Sequence, residues 1–253
     1  MPLAKVRHVF RRVKKDLNST ATYLRLALAG NKIERLTDFT ACKHPVLLLY
    51  GFGATRRVFS ILERRLRKDG FCVFSFNLGG MFDTFNTRCI EEMAQFVHDK
   101  VERLCQRYNL NKMSIIGHSK GGLIGRYYIK RLGGAKRVKT LITMGTPHNG
   151  NPWALLGVFS PLALVSKSIW QMYPMSPFIR RLKKGAWPKN VRLVSLYSKE
   201  DRVCFYKSAM LDIEDGVTNV KNVEMIGMSH SDYIIRKTAY NAIKKELLNG
   251  EKG

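Results

Sequence analysis

The sequence predicts an α/β fold, with a mostly parallel central sheet and helices on both faces. Three observations carry this. Short continuous apolar runs, of the kind found in strands buried on both faces, recur along the chain from VLLLY after Pro45 onward. Between them lie longer segments whose apolar residues repeat at helical spacing. Two of the junctions, GFG at 51–53 and GHSKGG at 117–122, are rich in glycine, which marks sharp changes of chain direction.

The elements follow in order. Val6, Phe10, Val13 and Leu17 share one helix face, with Lys5, Arg7, Arg11, Arg12, Lys14 and Lys15 around the rest, so a basic amphipathic helix is expected. Its apolar face serves equally for docking on a core or lying on a membrane surface. Residues 1–44 are therefore read as an N-terminal helical extension and 45–253 as one α/β domain. After VLLLY, a helix pattern runs through RRVFSILERRLRKDG and closes on Gly70. A strand FCVFSFN (71–77), a loop with Gly79 and Gly80, and a long helix from Thr87 to Tyr108 come next. KMSIIGH reads as a strand and Lys120 to Leu132 as a helix, followed by strands RVKTLITMG and VRLVSLYS. An apolar, proline-containing insertion at about 149–188 separates those two. A last strand, NVEMIGM, precedes a helix from Asp232 to Leu248.

A chain of 253 residues buries roughly three quarters of its unfolded surface, enough for one core without staples. Its formal charge of +25 attracts phosphates, on nucleic acid or on anionic lipid. The amphipathic N-terminal helix favours membrane, and no zinc-finger or RNP-type motif supports nucleic acid. Cys42, Cys72, Cys89, Cys105 and Cys204 have no C-x-x-C spacing and an odd total, so they are expected to be reduced and mostly buried. No signal-peptide pattern or apolar stretch of ~20 residues is found, which leads to the expectation of a cytoplasmic protein, peripheral on membrane.

Gly117, His118, Ser119, Lys120 and Gly121 form G-x-S-x-G at the end of one expected strand and the start of a helix, the context in which a serine is held on a sharp, strained elbow. A serine hydroxyl needs a base to take its proton and a carboxylate to orient that base. Chain order in such folds places the acid and then the histidine after the serine, each just past a strand end. Asp201 in SLYSKEDRV and His230 in MIGMSHSD meet that order. Glu200 is the rival acid, with Asp212 and Asp215 further from the strand, and Asp201 is favoured by its placement before Arg202 and Val203. His118 is expected to point away from the serine and pack under the elbow, His148 precedes the acid, and His8, His44 and His98 belong to no constellation. Backbone N–H donors for a tetrahedral oxyanion are expected from Lys120, at the helix start, and from Phe52 between Gly51 and Gly53.

GHSKGG, YGFGATRRVF, TMGTPHNG and YPMSPFIRRL, with Asp201 and His230 in sequence, resemble the lipase and esterase branch of the α/β-hydrolase superfamily, including bacterial triacylglycerol lipases and inositol-deacylase-like relatives. The resemblance covers the chain from about Pro45 onward. It implies an α/β-hydrolase fold and a serine hydrolase of carboxylic esters without metal or organic cofactor, Ser119 being the nucleophile, His230 the base and Asp201 the orienting acid. It also implies that 149–188 forms a lid lining an acyl pocket with Trp153, Leu155, Leu156, Phe159, Leu162, Trp170, Met172 and Met175, although such residues equally fill cores. Two positions depart from the family pattern: Tyr50 stands where His is usual, and Lys120 replaces the commoner Met, Gln or Leu. A cation at a helix N-terminus opposes the dipole, so the Lys120 side chain is expected to meet an anionic head group or form a salt bridge. An acyltransferase using the same residues, and a silent hydrolase-like module on anionic membrane, are the alternative functions.

Overall fold

The computed structural model describes residues 16–32, 36–81, 84–158 and 166–251. A helix over 16–27 (α1) precedes β1 (Pro45–Leu49). A 3₁₀ turn (Arg56–Phe59) leads into α2 (Ser60–Lys68), and β2 (Cys72–Ser75) is followed by the small hairpin of β3 (Gly80–Met81) and β4 (Phe85–Asn86). Next are α3 (Ile90–Tyr108), β5 (Met113–His118), α4 (Lys120–Arg131) and β6 (Val138–Met144). The insertion contributes α5 (Pro152–Val158), α6 (Lys167–Met172) and α7 (Pro177–Lys183) among the described residues. The chain then forms β7 (Arg192–Tyr197), α8 (Tyr206–Ala209), β8 (Val220–Glu224), α9 (Asp232–Ile235) and α10 (Lys237–Asn249).

The main sheet has the order β2-β1-β5-β6-β7-β8, and every pairing in it is parallel. Every residue of β1 and β5 is buried, which is why both read as unbroken apolar runs. From β1 the chain goes first to β2 on one side and later to β5 on the other, so the strand order reverses between β1 and β5. Open α/β sheets bind ligands outside the carboxyl ends of strands at such a reversal. Leu49 pairs with Gly117, which brings the loop after β1 level with the turn after β5. Helix α3 buries Ile90, Met93, Ala94, Val97, Val101 and Cys105, a stripe at spacings of three and four, and stops at Asn109 with φ 49°.

Three expectations shift. The last strand occupies Val220–Glu224, starting two residues before NVEMIGM and ending after its first three, and Met225 and Met228 pack into the core from the loop beyond it. The final helix is divided at Arg236, which is extended (φ −75°, ψ 144°). The cysteines are not all reduced: Cys42 and Cys72 form a disulfide. The Cys72 amide donates to the His44 carbonyl at 3.0 Å, and this pairing at the start of β2 brings the two Cα atoms to 5.8 Å. Cys89, Cys105 and Cys204 are free.

Most of the basic helix expected from Val6 to Leu17 lies outside the described residues. Helix α1 packs against the loop after β8: Asp16 pairs with Arg236 at 2.7 Å, the Thr20 and Ser231 hydroxyls lie 3.4 Å apart, and Ala27 joins the core. Among the described residues no helix is long and apolar enough to cross a membrane.

Candidate active site

Strand β5 ends in a turn that the sequence can adopt only with glycine around it. Ser119 has φ 53° and ψ −126°, a left-handed conformation that costs a non-glycine residue about 1–3 kcal/mol. Neighbouring contacts hold it there: its amide donates to the Met144 carbonyl at 2.9 Å, and its carbonyl accepts from Thr146 Oγ1 at 2.9 Å and from the Gly122 amide at 3.0 Å. A Cβ on Gly117 would stand 2.5 Å from Gly122 Cα, and one on Gly121 would stand 1.9 Å from the Leu49 carbonyl oxygen. Helix α4 thus starts in direct contact with the end of β1, which requires bare backbone at both positions.

Asp201 and His230 meet at the same end of the sheet. Asp201 is buried, and its Oδ1 accepts from the amides of Val203 (2.9 Å) and Cys204 (2.8 Å). Its Oδ2 lies 2.8 Å from His230 Nδ1, so the imidazole is oriented with Nδ1–H toward the carboxylate. Gly145, at the end of β6, backs this pair so closely that a Cβ there would stand 2.9 Å from both Asp201 Oδ2 and His230 Nδ1. The His118 ring lies beside His230 with centroids 4.6 Å apart, and the ring of Tyr23 in α1 lies 5.8 Å from that of His118. Burial pushes the Tyr23 phenol up to about 12. Ser119 is thus one residue from a ring in contact with His230. No hydrogen bond joins the Ser119 and His230 side chains among the described residues. Bonds of this kind often tighten only when substrate is bound.

The other candidates are engaged elsewhere. Glu200 accepts from Ser198 Oγ (2.9 Å) and the Gly227 amide (3.0 Å), so it braces the loop before His230. Asp212 pairs with Lys183 at 2.7 Å, and Asp215 is exposed. His148 is buried between Thr143 Oγ1 (2.9 Å) and Arg126 (3.4 Å), and burial with the Arg126 charge holds its pKa well below the usual value. His44 pairs with Glu251 at 3.1 Å.

Gly51 presses on the serine, since a Cβ there would stand 2.9 Å from Ser119 Cβ. Phe52 therefore follows immediately beside the elbow, and Lys120 opens α4 on its other side. The Lys120 side chain is closed off from solvent and among the described residues forms no salt bridge, contrary to expectation. It is fully buried, with Nζ donating to Asn86 Oδ1 (2.9 Å), the Asn86 carbonyl (3.3 Å) and the Arg88 carbonyl. Burial lowers its pKa to about 7. Asn86, Gly145 and Thr146 were not singled out from the sequence. Gly145 and Thr146 sit in the TMGTPHNG motif, whereas Asn86 carries no sequence signal.

The insertion abuts the loop bearing Asp201. Trp153 Nε1 donates to the Arg202 carbonyl at 2.8 Å, and its ring lies 5.9 Å from Phe205. Trp153, Leu156 and Trp170 are 51%, 63% and 49% exposed, whereas Met172 is buried in the core. Leu155 and Met175 are also exposed, and Phe159 and Leu162 lie outside the described residues. A cavity of about 920 Å³ lies away from this constellation, along the free edge of β2 between α2 and α3.

A parallel sheet reversing beside a strained serine, with an Asp–His pair past later strands, defines the class of α/β hydrolases. The family model for the alpha/beta hydrolase fold matches residues 44–175, and the chain belongs to this family. A triacylglycerol lipase of Pseudarthrobacter phenanthrenivorans is 28% identical over 124 residues, covering 46% of this chain and 37% of that protein. The abhydrolase domain-containing protein abhd-5.2 of Caenorhabditis elegans is 28% identical over 159 residues, covering 59% of this chain and 34% of that protein. The chain thus spans about a third of the length of the curated relatives it matches. Among solved structures, the mature form of Bacillus licheniformis lipase BlEst2 superposes with a TM-score of 0.67 at 13% identity, covering 86% of this chain and 96% of the other. Aspergillus fumigatus lipase B gives 0.62 at 17% identity, covering 84% and 54%.

Proposed function

We propose that this chain is a serine hydrolase of carboxylic esters, with Ser119 as nucleophile, His230 as general base and Asp201 as its orienting acid. Ser119 Oγ attacks the ester carbonyl while its proton passes to His230 Nε2. The amides of Phe52 and Lys120 receive the developing oxyanion. The protonated imidazole, stabilised by Asp201, then gives that proton to the leaving alcohol. Water, deprotonated by the same imidazole, attacks the acyl carbonyl, and the imidazolium returns that proton to Ser119 Oγ as the acyl–oxygen bond breaks and the carboxylic acid leaves. No step calls on a metal or organic cofactor.

The observation that carries this reading is the 2.8 Å contact of His230 Nδ1 with a buried Asp201, at the sheet end where Ser119 is held at φ 53°. The triacylglycerol lipases among its relatives support ester chemistry. A short-chain p-nitrophenyl ester tests it: Ser119→Ala lowers turnover by roughly 10⁴ to 10⁶-fold, because the triad acts as a unit. An unchanged rate in that variant contradicts it.

We further infer that the natural ester is lipid-like and met at an anionic membrane surface. Leu17 and Leu24 of α1 and Leu28 just beyond it are exposed, Trp153, Leu156 and Trp170 are exposed on the insertion, and the net charge is +25. Co-sedimentation with phosphatidylserine vesicles, exceeding that with phosphatidylcholine, is the expected result. Equal binding to both counts against it.

A further inference from the structure

We propose that Lys120 is a positioning residue: its side chain, acting through Asn86, holds the amide of Phe52 in register with Lys120's own amide. The inference rests on the hydrolase reading above and names what fixes the separation of its two backbone donors.

Asn86, at the end of β4, makes four contacts that bear on the Phe52 loop and Lys120, besides the one its carbonyl also receives from Lys120 Nζ. Its amide donates to the Ala54 carbonyl (3.1 Å), and its carbonyl accepts from the Gly53 amide (3.2 Å). Its Nδ2 donates to the Tyr50 carbonyl (2.8 Å), and its Oδ1 accepts from Lys120 Nζ (2.9 Å). The first three grip the loop on both sides of Phe52, and the fourth ties that loop to the first residue of α4. The amide orientation is fixed chemically, because a carbonyl at one end demands the NH₂ and an ammonium at the other demands the oxygen.

Among the described residues Lys120 Nζ meets three acceptors: Asn86 Oδ1, the Asn86 carbonyl and the Arg88 carbonyl. That number matches the three N–H groups of an ammonium. The Phe52 ring adds a cation–π contact, its centroid 5.7 Å from Nζ. A second link therefore runs from Lys120 to the very residue whose amide is at issue. Burying this cation is costly: desolvation dominates its environment, and the attractions of Cys89 and Glu92 only partly oppose it. An apolar side chain would fill the slot without that cost, so the lysine's distinctive contribution is its directed bonds to Asn86 and Arg88. Misplacing a catalytic group by about 1 Å can cost 10²-fold in rate.

The test compares Lys120→Met, Lys120→Gln, Asn86→Leu and the Lys120→Met/Asn86→Leu pair on a short-chain p-nitrophenyl ester, with Ser119→Ala alongside and melting temperatures for all. Lys120→Met is expected to lower kcat by about 10²-fold with KM within about twofold, and to change the melting temperature only modestly, because relief of the buried charge offsets the acceptors left unpaired. Lys120→Gln, which keeps an N–H donor for Asn86 Oδ1, recovers about tenfold of that loss. The double variant is slower than Asn86→Leu by much less than the 10²-fold that Lys120→Met costs alone, because the Lys120–Asn86 contact is the link both remove. If Ser119→Ala abolishes turnover while Lys120→Met keeps wild-type kcat, the positioning role is overturned and the hydrolase reading stands. If Ser119→Ala retains turnover, the hydrolase reading itself falls. Should Lys120→Met fail to fold, wild-type kcat in both Lys120→Gln and Asn86→Leu overturns the proposal, and reduced kcat at unchanged KM in both supports it.

Discussion

His118 Nε2–H meets the carbonyl oxygen of His230 at 3.0 Å, while the two imidazole rings lie 4.6 Å apart at their centroids. His118 is fully buried, and its Nδ1 has no hydrogen-bond partner among the described residues. Burial, and then the proximity of His230, push its pKa down to about 3. The residue therefore supports the loop of His230 as a neutral imidazole and places no charge beside it.

Replacing His118 by Phe keeps a ring in the slot but leaves the His230 carbonyl without its donor. The expected cost is about 1–3 kcal/mol of stability, with about tenfold lower kcat from the loosened loop. Urea unfolding and ester turnover measure the two effects, and wild-type values in both contradict the assignment.

Asp201→Asn tests the orientation of the base. Asp201 Oδ1 is held by two backbone amides, so an asparagine keeps its carbonyl oxygen there and turns its NH₂ toward His230. His230 Nδ1 must then accept, the proton moves to Nε2, and the ring is in the wrong tautomer to deprotonate Ser119. A loss of about 10³ to 10⁴-fold in kcat is expected, with unchanged KM and melting temperature.

Gly145→Ala separates geometry from folding. Its φ is +51°, and the added methyl would stand 2.9 Å from both Asp201 Oδ2 and His230 Nδ1. A side chain can rotate away from a methyl, so the protein folds but the pair parts and kcat falls at least tenfold. Gly121→Ala meets the backbone oxygen of Leu49 at 1.9 Å, which cannot rotate away. That variant is expected to lose stability first, by about 3 kcal/mol or more, seen as a lower urea midpoint.

Stability should depend on pH through His118 and His148, both buried with depressed pKa. Below the unfolded histidine value of ~6.5, the unfolded chain binds protons that these native rings refuse, so stability falls as pH falls and recovers as it rises. Each contributes a slope of about 1.4 kcal/mol per pH unit well below that value. Urea titrations between pH 7 and pH 5 check this, and His148→Gln is expected to remove one of the two contributions.

The sheet was legible because VLLLY and SIIGH are buried on both faces and bounded by glycine. Ser119, Asp201 and His230 were put forward together because each follows a strand end in a fixed order, and the structure brings Asp201 and His230 into contact. The hairpin of β3 and β4 was not legible, since two-residue strands have no periodicity. The Cys42–Cys72 bond depends on which strand pairs with His44, and spacing along the chain does not encode that. Lys120 was expected to meet an anionic head group or form a salt bridge, because sequence cannot show three carbonyl groups assembled around it from the segment 86–88.

The central claim is that Ser119 is an activated nucleophile beside His230 and Asp201. Fluorophosphonate labelling followed by peptide mass spectrometry tests it most directly. The expected result is one phosphonyl adduct on Ser119, absent from Ser119→Ala and strongly slowed in Asp201→Asn. An unlabelled protein, or an adduct on another residue with Ser119 untouched, contradicts the account.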